Sequence, residues 1–235
     1  MHNKKRLSTI ISVILLGIIA VGFLFPFVWM VATSFKPTNE VFTFTPVGSE
    51  VAWENYPSAL RSIPFGRVVL NSFIVSLAGA ALVVVVSVLS AYAFARLRFK
   101  GRDHLFMVFL GTLVLPQEVL VIPLYIGMQR MGLVNSYFAL IVPFAFGAFG
   151  AFLIRQFLMS LPLEFEEAAR IDGCSDWKIL TKILLPLLKA PITVVGVFAF
   201  IDYWSAFLWP LIVVNDSTLA TIPLGLQMFS GERGT

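Results

Sequence analysis

Residues 68–95 form an uncharged run of 28 residues, which reads VVLNSFIVSLAGAALVVVVSVLSAYAFA. A helix needs roughly 20 consecutive apolar residues to cross the hydrocarbon core of a bilayer. The four consecutive valines at residues 83–86 are compatible with a helix, because in lipid the backbone groups must find their hydrogen-bond partners within the segment. The stretch therefore predicts a transmembrane helix.

The composition of the 235-residue chain supports this assignment. Hydrophobic residues make up 58% and charged residues 13%, whereas soluble domains carry roughly 25% charged residues, so an ordinary soluble protein is excluded. The net charge of +4 does not indicate nucleic-acid binding, because the basic residues are not gathered on one soluble face. A single cysteine, Cys174, and two separate histidines, His2 and His104, predict neither an internal disulfide nor a metal site.

Four further apolar segments bring the number of predicted spans to five in an all-α integral membrane protein. The first exceeds the roughly 7–15 apolar residues of a secretory signal peptide. We expect the third segment to bend at Pro116, and the spacing of Gly147 and Ala151 in the fourth to allow close helix packing. The four segments cover residues 7–35, 105–128, 131–154 and 190–215.

The distribution of basic residues predicts the orientation of these spans, since Lys and Arg accumulate on the cytoplasmic side. With the N-terminus in the cytosol, twelve of the 17 basic residues fall in cytoplasmic segments and five in external ones. We then expect external segments near residues 36–67, 129–136 and 215–235, and the longest cytoplasmic loop at residues 159–189.

This cytoplasmic loop is predicted to form a helix-turn-helix. Apolar residues recur at helical spacing before and after Gly173. Gly173 can adopt the left-handed conformation that ends a helix, and Ser175 is placed to cap the next one.

The residue pattern leaves two interpretations of the loop open. Its helices could lie on the lipid surface, which Lys178 and Lys182 would favour. They could instead dock onto a cytosolic protein, since Glu164, Glu166 and Glu167 would be repelled by anionic lipid and attracted by a basic cleft. We favour docking to a protein.

The loop also contains a spaced motif. Glu167-Ala168-Ala169 is followed after three residues by Gly173 and after nine more by Ile183-x-Leu185-Pro186. This pattern resembles the EAA loop of the permease subunits of binding-protein-dependent ABC importers. Weaker similarity to the carbohydrate-importer subgroup, which includes maltose permeases, covers nearly the whole chain and rests on residues 34–37, 96–99, 122–125, 155–157 and 207–210.

The resemblance implies a coupling role for the loop. In such importers the loop docks on an ATP-binding subunit, and ATP-driven closure switches the permease between inward-facing and outward-facing states. The implied contact and its pivot are Glu166, Glu167, Ala168, Ala169 and Gly173. The implied attachment to the fifth span is formed by Ile183, Leu185 and Pro186.

The resemblance also implies partners and a location. The partners are two ATP-binding subunits, a second related permease and an extracytoplasmic solute-binding protein, in the plasma (inner) membrane of a prokaryote. The sequence has no G-x-x-x-x-G-K-[ST] phosphate loop. We therefore expect no ATPase activity and no cofactor in this multi-pass subunit, with ATP and Mg²⁺ held by its partners.

The sequence departs from the family pattern in two places. Members have a sixth span, so we expect residues 1–235 to form a single transmembrane domain that lacks its last helix. In the fifth span, where the subgroup reads W-N-D or W-N-E, Trp204 is followed by Ser205 and Ala206, and Asp202 supplies the nearby carboxylate.

Three residues are candidates for the substrate path. Asp202 lies about 16 Å into the fifth span, where a charge must face protein or water, so it either lines the path or pairs with the second permease. Glu118 either lines an external vestibule or reaches the lipid headgroups. Trp204 either stacks on a sugar ring or anchors the helix at the interface.

These features predict a permease subunit that imports a sugar, oligosaccharide or related polyol by alternating access. One alternative is a secondary transporter driven by an ion gradient, with Glu118 and Asp202 as a protonatable relay. Another is a non-transporting membrane scaffold whose loop recruits a partner.

Overall fold

The computed structural model describes the backbone of residues 2–233 and the side chains of residues 9–229. The basic cluster at residues 4–6 lies outside the described side chains, and Thr235 lies outside the described residues altogether. Every regular element in the described part is a helix. The chain divides after Ile63 into two compact units.

The first unit contains a long apolar helix and the segment that follows it. Helix α1 (His2–Ser34) is apolar enough to cross a membrane over Thr9–Ser34, which confirms the first predicted span. Asn55, at the start of α2 (Asn55–Ser62), donates its Nδ2 to the Ser34 and Lys36 carbonyl oxygens at 3.0 and 2.8 Å. The Asn55 side chain thus provides a hydrogen-bond donor for the Ser34 carbonyl, which has no partner at the end of α1, and for the Lys36 carbonyl just beyond it.

The second unit begins with α3 (Phe65–Arg96), which confirms the second predicted span. It is followed by α4 (Arg102–Gly111) and α5 (Gln117–Arg130). Across the break at Leu115 and Pro116 the helical axes differ by 101°, so the expected bend in the third span is confirmed.

The predicted fourth span is not a single helix. Helix α6 (Tyr137–Ile141) and helix α7 (Ala148–Ser160) are separated by irregular backbone. Pro143 explains the break, because proline has no N–H and its ring would clash with the Ala139 carbonyl if the helix continued. The span predicted for residues 131–154 therefore ends before α7 does, and it contains a break in the helix that was not predicted.

The loop and the segment after it form a chain of short helices. In order, these are α8 (Glu164–Ile171), α9 (Asp176–Lys178), a π-helical turn (Ile179–Leu184), α10 (Leu185–Leu187), α11 (Lys189–Ser205) and α12 (Leu208–Val213). The predicted fifth span is thus broken after Ser205, where Ala206 is extended. Pro210 would clash with the Ala206 carbonyl in a continuous helix.

The region expected as an external polar segment is also partly helical. Helix α13 (Ile222–Arg233) follows a 3₁₀ turn at Ser217–Leu219. The fully buried Asn71 of α3 donates its Nδ2 to the Thr218 and Ala220 carbonyl oxygens, both at 2.9 Å, and accepts a hydrogen bond from the Tyr137 hydroxyl at 2.6 Å. This network fixes the approach to α13, while the expectation of a further span stays a prediction.

Small residues let α3 pack closely against α7 and α11. A Cβ atom at Gly79 would lie 2.6 Å from the Tyr203 ring, and one at Gly150 would overlap a side chain of α3. Ala151 is fully buried, as expected, but Gly147 faces open space. Gly150 rather than Gly147 therefore permits the close approach.

The described helices account for up to five membrane crossings. Two are continuous, in α1 and α3, and three are counted from pairs of helices bent by 79–101°, namely α4 with α5, α7 with α8, and the segment Asp176–Leu187 with α11. In the last two pairs, α8 and Asp176–Leu187 belong to the predicted cytoplasmic loop, so only α7 and α11 are assigned to the membrane. The number agrees with the predicted all-α fold, although the boundaries of the last two predicted spans do not.

Candidate coupling loop and translocation cleft

The turn of the loop has the predicted geometry. Gly173 adopts a left-handed conformation with φ of 73°, and the next amide, that of Cys174, donates to the Ala169 carbonyl oxygen at 2.9 Å. Ser175 caps α9 by accepting a hydrogen bond from the Lys178 amide. The helix-turn-helix predicted from Gly173 and Ser175 is therefore confirmed.

A surface ion pair closes this turn. Arg170 Nη2 lies 3.1 Å from Asp176 Oδ1. Hydrogen bonding to Asp176 raises the pKa of Arg170 above its usual value. The pair links the end of α8 to the start of α9, and sequence reasoning did not identify it.

One face of α8 is exposed. It carries Glu167 and Ala168, both predicted for docking, beside the apolar Phe165 and Ile171, whose side chains are 52% and 87% exposed. Gly173 lies at the exposed end of this helix. Apolar side chains exposed together on a short helix are typical of an interaction surface.

The opposite face of α8 is buried, which corrects the expected role of two residues. Glu166 is 2% exposed, and its Oε1 lies 2.5 Å from Arg96 Nε. Ala169, three residues further along and hence on the same helix face, is also buried. Glu166 and Ala169 therefore face the protein interior and are not part of the exposed surface.

The attachment of the loop to α11 also differs from the prediction. Ile183 is half-buried, but Leu185 and Pro186 are exposed. The buried side chains are instead Ile179, Leu180, Leu184 and Leu188, which pack in an apolar cluster with Ile154 and Leu158 of α7.

The segment also contains a π-helical turn at Ile179–Leu184. Residues four apart lie on nearly the same side of a helix, offset by about 40° in a regular α-helix. The Leu185 amide donates to the Leu180 carbonyl oxygen, five residues back. Leu180, Leu184 and Leu188 share the buried face, Ile183 packs against its edge, and Leu185 and Pro186 are exposed.

A cleft of about 410 Å³ lies within the second unit, in the size range of small-molecule sites. Both predicted carboxylates, Glu118 and Asp202, line it. Its other polar or aromatic lining residues include Gln117, Ser205, Phe144, Phe149, Phe198, Tyr203 and Trp209. No Lys, Arg or His occurs among the lining residues in the described part of the chain.

The breaks in the fourth and fifth spans meet beside this cleft. Trp209 Nε1 donates to the Ala139 carbonyl oxygen at 2.8 Å, and the Tyr203 hydroxyl donates to the Ile141 carbonyl oxygen at 2.6 Å. These carbonyls lie at the end of α6, beside Pro143. Irregular backbone at membrane depth is tolerated where it is buried in protein or lines a cavity.

Trp204, the third predicted path residue, does not line the cleft. Its ring stacks on Phe200 at a centroid distance of 5.6 Å and meets Phe73 of α3 edge-on at 4.9 Å. The structure therefore brings Glu118 and Asp202 to one cleft and leaves Trp204 in the packing between α3 and α11. Among the described residues, no three His, Cys, Asp or Glu side chains converge on a metal position.

These features define the class of protein as a helical membrane transport component. It combines an exposed helix-turn-helix with a cleft that is bordered by discontinuous helices. Discontinuous helices recur at the substrate sites of transporters.

Residues 83–234 match the family described as "Binding-protein-dependent transport system inner membrane component". The chain belongs to this family. It is therefore a permease subunit of a binding-protein-dependent ABC importer and not itself the ATPase. The alternative of a carrier driven by an ion gradient is wrong, because the family is not one of secondary transporters.

Individual relatives resemble the chain over most of its length. It is 32% identical to the lactose transport system permease protein LacG of Rhizobium radiobacter over 236 residues, which covers 99% of this chain and 86% of the relative. It is 37% identical to the sn-glycerol-3-phosphate transport system permease protein UgpE of Pectobacterium atrosepticum over 246 residues, which covers 100% and 86%.

A solved structure shares the fold. The chain superposes with a TM-score of 0.81 and 25% identity on a chain of a bacterial ABC transporter involved in the import of the acidic polysaccharide alginate, covering 97% of this chain and 80% of that one.

Proposed function

We propose that this chain is one of two related permease subunits of an ATP-driven sugar importer in the inner membrane of a prokaryote. Two ATP-binding subunits hold ATP and Mg²⁺, and an extracytoplasmic binding protein delivers the solute. The observation that carries the proposal is the loop, whose glycine turn presents Glu167 and Ala168 on one face of α8 while the other face is packed inside the protein.

In this mechanism the exposed face of α8 docks on an ATP-binding subunit. Closure of the two ATP-binding subunits displaces the loop, and the buried row of Leu180, Leu184 and Leu188 carries the displacement into α11. Because α11 contributes Asp202 and Tyr203 to the cleft, its movement opens the cleft alternately to the two sides of the membrane.

The cleft lining favours an uncharged sugar as the solute. The carboxylates of Glu118 and Asp202 accept charge-assisted hydrogen bonds from hydroxyl groups, and the aromatic walls offer flat apolar surfaces. An anionic solute would be repelled by both carboxylates without a cationic side chain in the lining to compensate. Lactose and sn-glycerol 3-phosphate, for which two of the relatives are named, differ in charge, and a lining with two carboxylates and no cation favours the uncharged one.

The solute class is tested by uptake into vesicles that contain the whole importer. We expect ATP-dependent uptake of lactose and no uptake of sn-glycerol 3-phosphate. Asp202→Asn should retain lactose uptake in part, whereas Asp202→Lys should abolish it. Uptake of the phosphate ester alone would reject the uncharged class but leave the importer assignment intact.

The coupling role is tested by co-expressing the chain with its ATP-binding and permease partners. Glu167→Lys reverses a charge on the docking face, and Gly173→Trp strains the left-handed turn by roughly 1–2 kcal/mol. Both variants should insert in the membrane but lose the copurifying ATPase and the uptake. Glu50→Lys, at an exposed position outside the loop, is the matched control. A folded wild-type chain that never retains an ATPase would overturn the proposal.

A further inference from the structure

Arg96 is a buried cation at the junction of three helices. It is the last residue of α3, and its side chain is 7% exposed. Its Nε meets Glu166 Oε1 of α8 at 2.5 Å. Its Nη2 donates to the carbonyl oxygens of Leu158 and Leu161, at the end of α7, at 2.7 and 3.2 Å. One guanidinium group therefore contacts α8 and α7 from the end of α3.

Arg96 Nε and Glu166 Oε1 form a buried ion pair by proximity, although neither atom has a hydrogen-bond partner among the described residues. Arginine stays protonated in proteins, so burial requires a counter-charge, which Glu166 supplies. The last carbonyls of a helix carry the negative end of its dipole, so the Leu158 and Leu161 carbonyl oxygens complete the arrangement, the first of them also accepting from the Leu161 amide at 3.1 Å. A lysine could not reproduce it, because its compact ammonium cannot place one nitrogen beside the carboxylate and another beside the two carbonyls.

A second arginine strengthens the same junction. Arg155 of α7 donates its Nε to the Phe94 carbonyl oxygen of α3 at 3.2 Å, and its guanidinium lies 4.1 Å from the Phe106 ring centroid. Ile154, the neighbour of Arg155 in the sequence, and Leu158, whose carbonyl accepts from Arg96, belong to the buried apolar cluster. The end of α7 is thus fixed to α3, and Arg96 adds a contact from α3 to Glu166 of α8.

We propose that Arg96 and Glu166 form a latch that makes α8 and α3 move as one body. This inference rests on the proposed function, in which the ATP-binding subunits push on α8. Besides the latch, α8 is joined to α9 by the Gly173 turn and the Arg170–Asp176 ion pair, and Ala169 packs in the apolar cluster that leads to α11. The latch adds a second and direct connection, from α8 to α3, against which α7 and α11 pack. Arg96 is thus a positioning residue that touches neither solute nor nucleotide.

The latch is tested by a distance measurement on the importer. Cys174, the single cysteine of the chain, lies in the loop, and Leu70, 57% exposed, lies near the other end of α3. Spin labels on Cys174 and on Leu70→Cys, with cysteine-free partners, report the distance between loop and helix. We expect one narrow distance for the wild type in each nucleotide state and a broad distribution for Glu166→Gln and for Arg96→Lys.

Two further readouts separate the latch from a purely structural role. The variants should retain the copurifying ATPase and its hydrolysis, while solute transported per ATP falls about tenfold, within the range of typical coupling energies. Arg98→Lys, at an exposed position two residues on, should behave as the wild type. If Arg96→Lys fails to fold, the near-isosteric Glu166→Gln decides the matter alone.

The proposal is overturned if Glu166→Gln keeps the narrow distance and the wild-type ratio of transport to hydrolysis. Failure of the proposed function gives a different result. If the wild-type chain retains no ATPase, the importer mechanism is rejected, while the distance between the labels still shows whether the loop and α3 are held together.

Discussion

At Gly79 the absence of a side chain decides how closely two membrane helices approach. The Tyr203 ring occupies the space where a Cβ atom of residue 79 would lie. Its hydroxyl donates to the Ile141 carbonyl oxygen, at the end of α6 just before the break in the fourth span. Tyr203 also lines the cleft. The contact at Gly79 therefore sets both the packing of α11 on α3 and the position of one wall of the site.

Gly79→Ala is expected to destabilise the protein by about 1–3 kcal/mol, because overpacking forces side chains or backbone to shift. Gly66→Ala, at the second residue of the same helix, meets open space and should change the stability by no more than about 0.5 kcal/mol. Thermal unfolding of the purified protein in detergent measures both. Equal effects of the two substitutions would contradict the packing argument.

Residue-scale prediction from sequence succeeded where the signal is local. Gly173 and Ser175 each determine the backbone within a few positions, and both behave as predicted. The partner of Glu166 lies 70 positions away at Arg96, so nothing in the neighbouring sequence reveals which face of α8 is buried. The charge of Arg96 at the end of an uncharged run was the one available signal.

At the scale of elements, the broken helices show why proline alone is a poor guide in membrane spans. Pro26 and Pro123 lie inside continuous helices, whereas Pro143 and Pro210 accompany breaks. At the break beside Pro143, the carbonyls at the end of α6 are satisfied by side chains of the following helices, among them Trp209. Such long-range partners cannot be identified from one stretch of sequence, and spans four and five were therefore predicted as continuous.

Trp209→Phe tests this arrangement. It removes the donor to the buried Ala139 carbonyl and should destabilise the protein by about 1–3 kcal/mol, the cost of an unsatisfied buried polar group. Trp204→Phe, which keeps the aromatic contacts with Phe200 and Phe73, should cost less. Chemical unfolding monitored by helix content compares the two variants, and a larger loss for Trp204→Phe would reject the role assigned to Trp209.

At the scale of the whole molecule, the predicted orientation depends on where basic residues occur between spans. The loop of α8 and α9 lies between apolar elements and is rich in charge, and its cytoplasmic side stays a prediction. Arg96, Arg155 and Arg170 at this end are all engaged in contacts with neighbouring elements. Charges that predict orientation thus also build the junction between loop and spans.

The single cysteine provides a direct test of this orientation. A membrane-impermeant maleimide should label Cys174 in inside-out vesicles and leave it unlabelled in intact spheroplasts. Asn215→Cys in a Cys174→Ser background should show the opposite pattern, since the loop before α13 is predicted to be external. Labelling of Cys174 from outside would invert the topology and remove the basis of the coupling mechanism.

The π-helical turn at Ile179–Leu184 allows the segment between the loop and α11 to differ in length by one residue. A π-turn holds one residue more than an α-turn while the flanking helices keep their directions. Deleting Thr181 should convert it to a regular α-helical turn, so that the helices on both sides, and with them the interface of α8, keep their places. Loops that differ in length by one residue could then be connected to the same membrane helix. Retained ATPase binding in the deletion variant would support this conclusion, and its loss would contradict it.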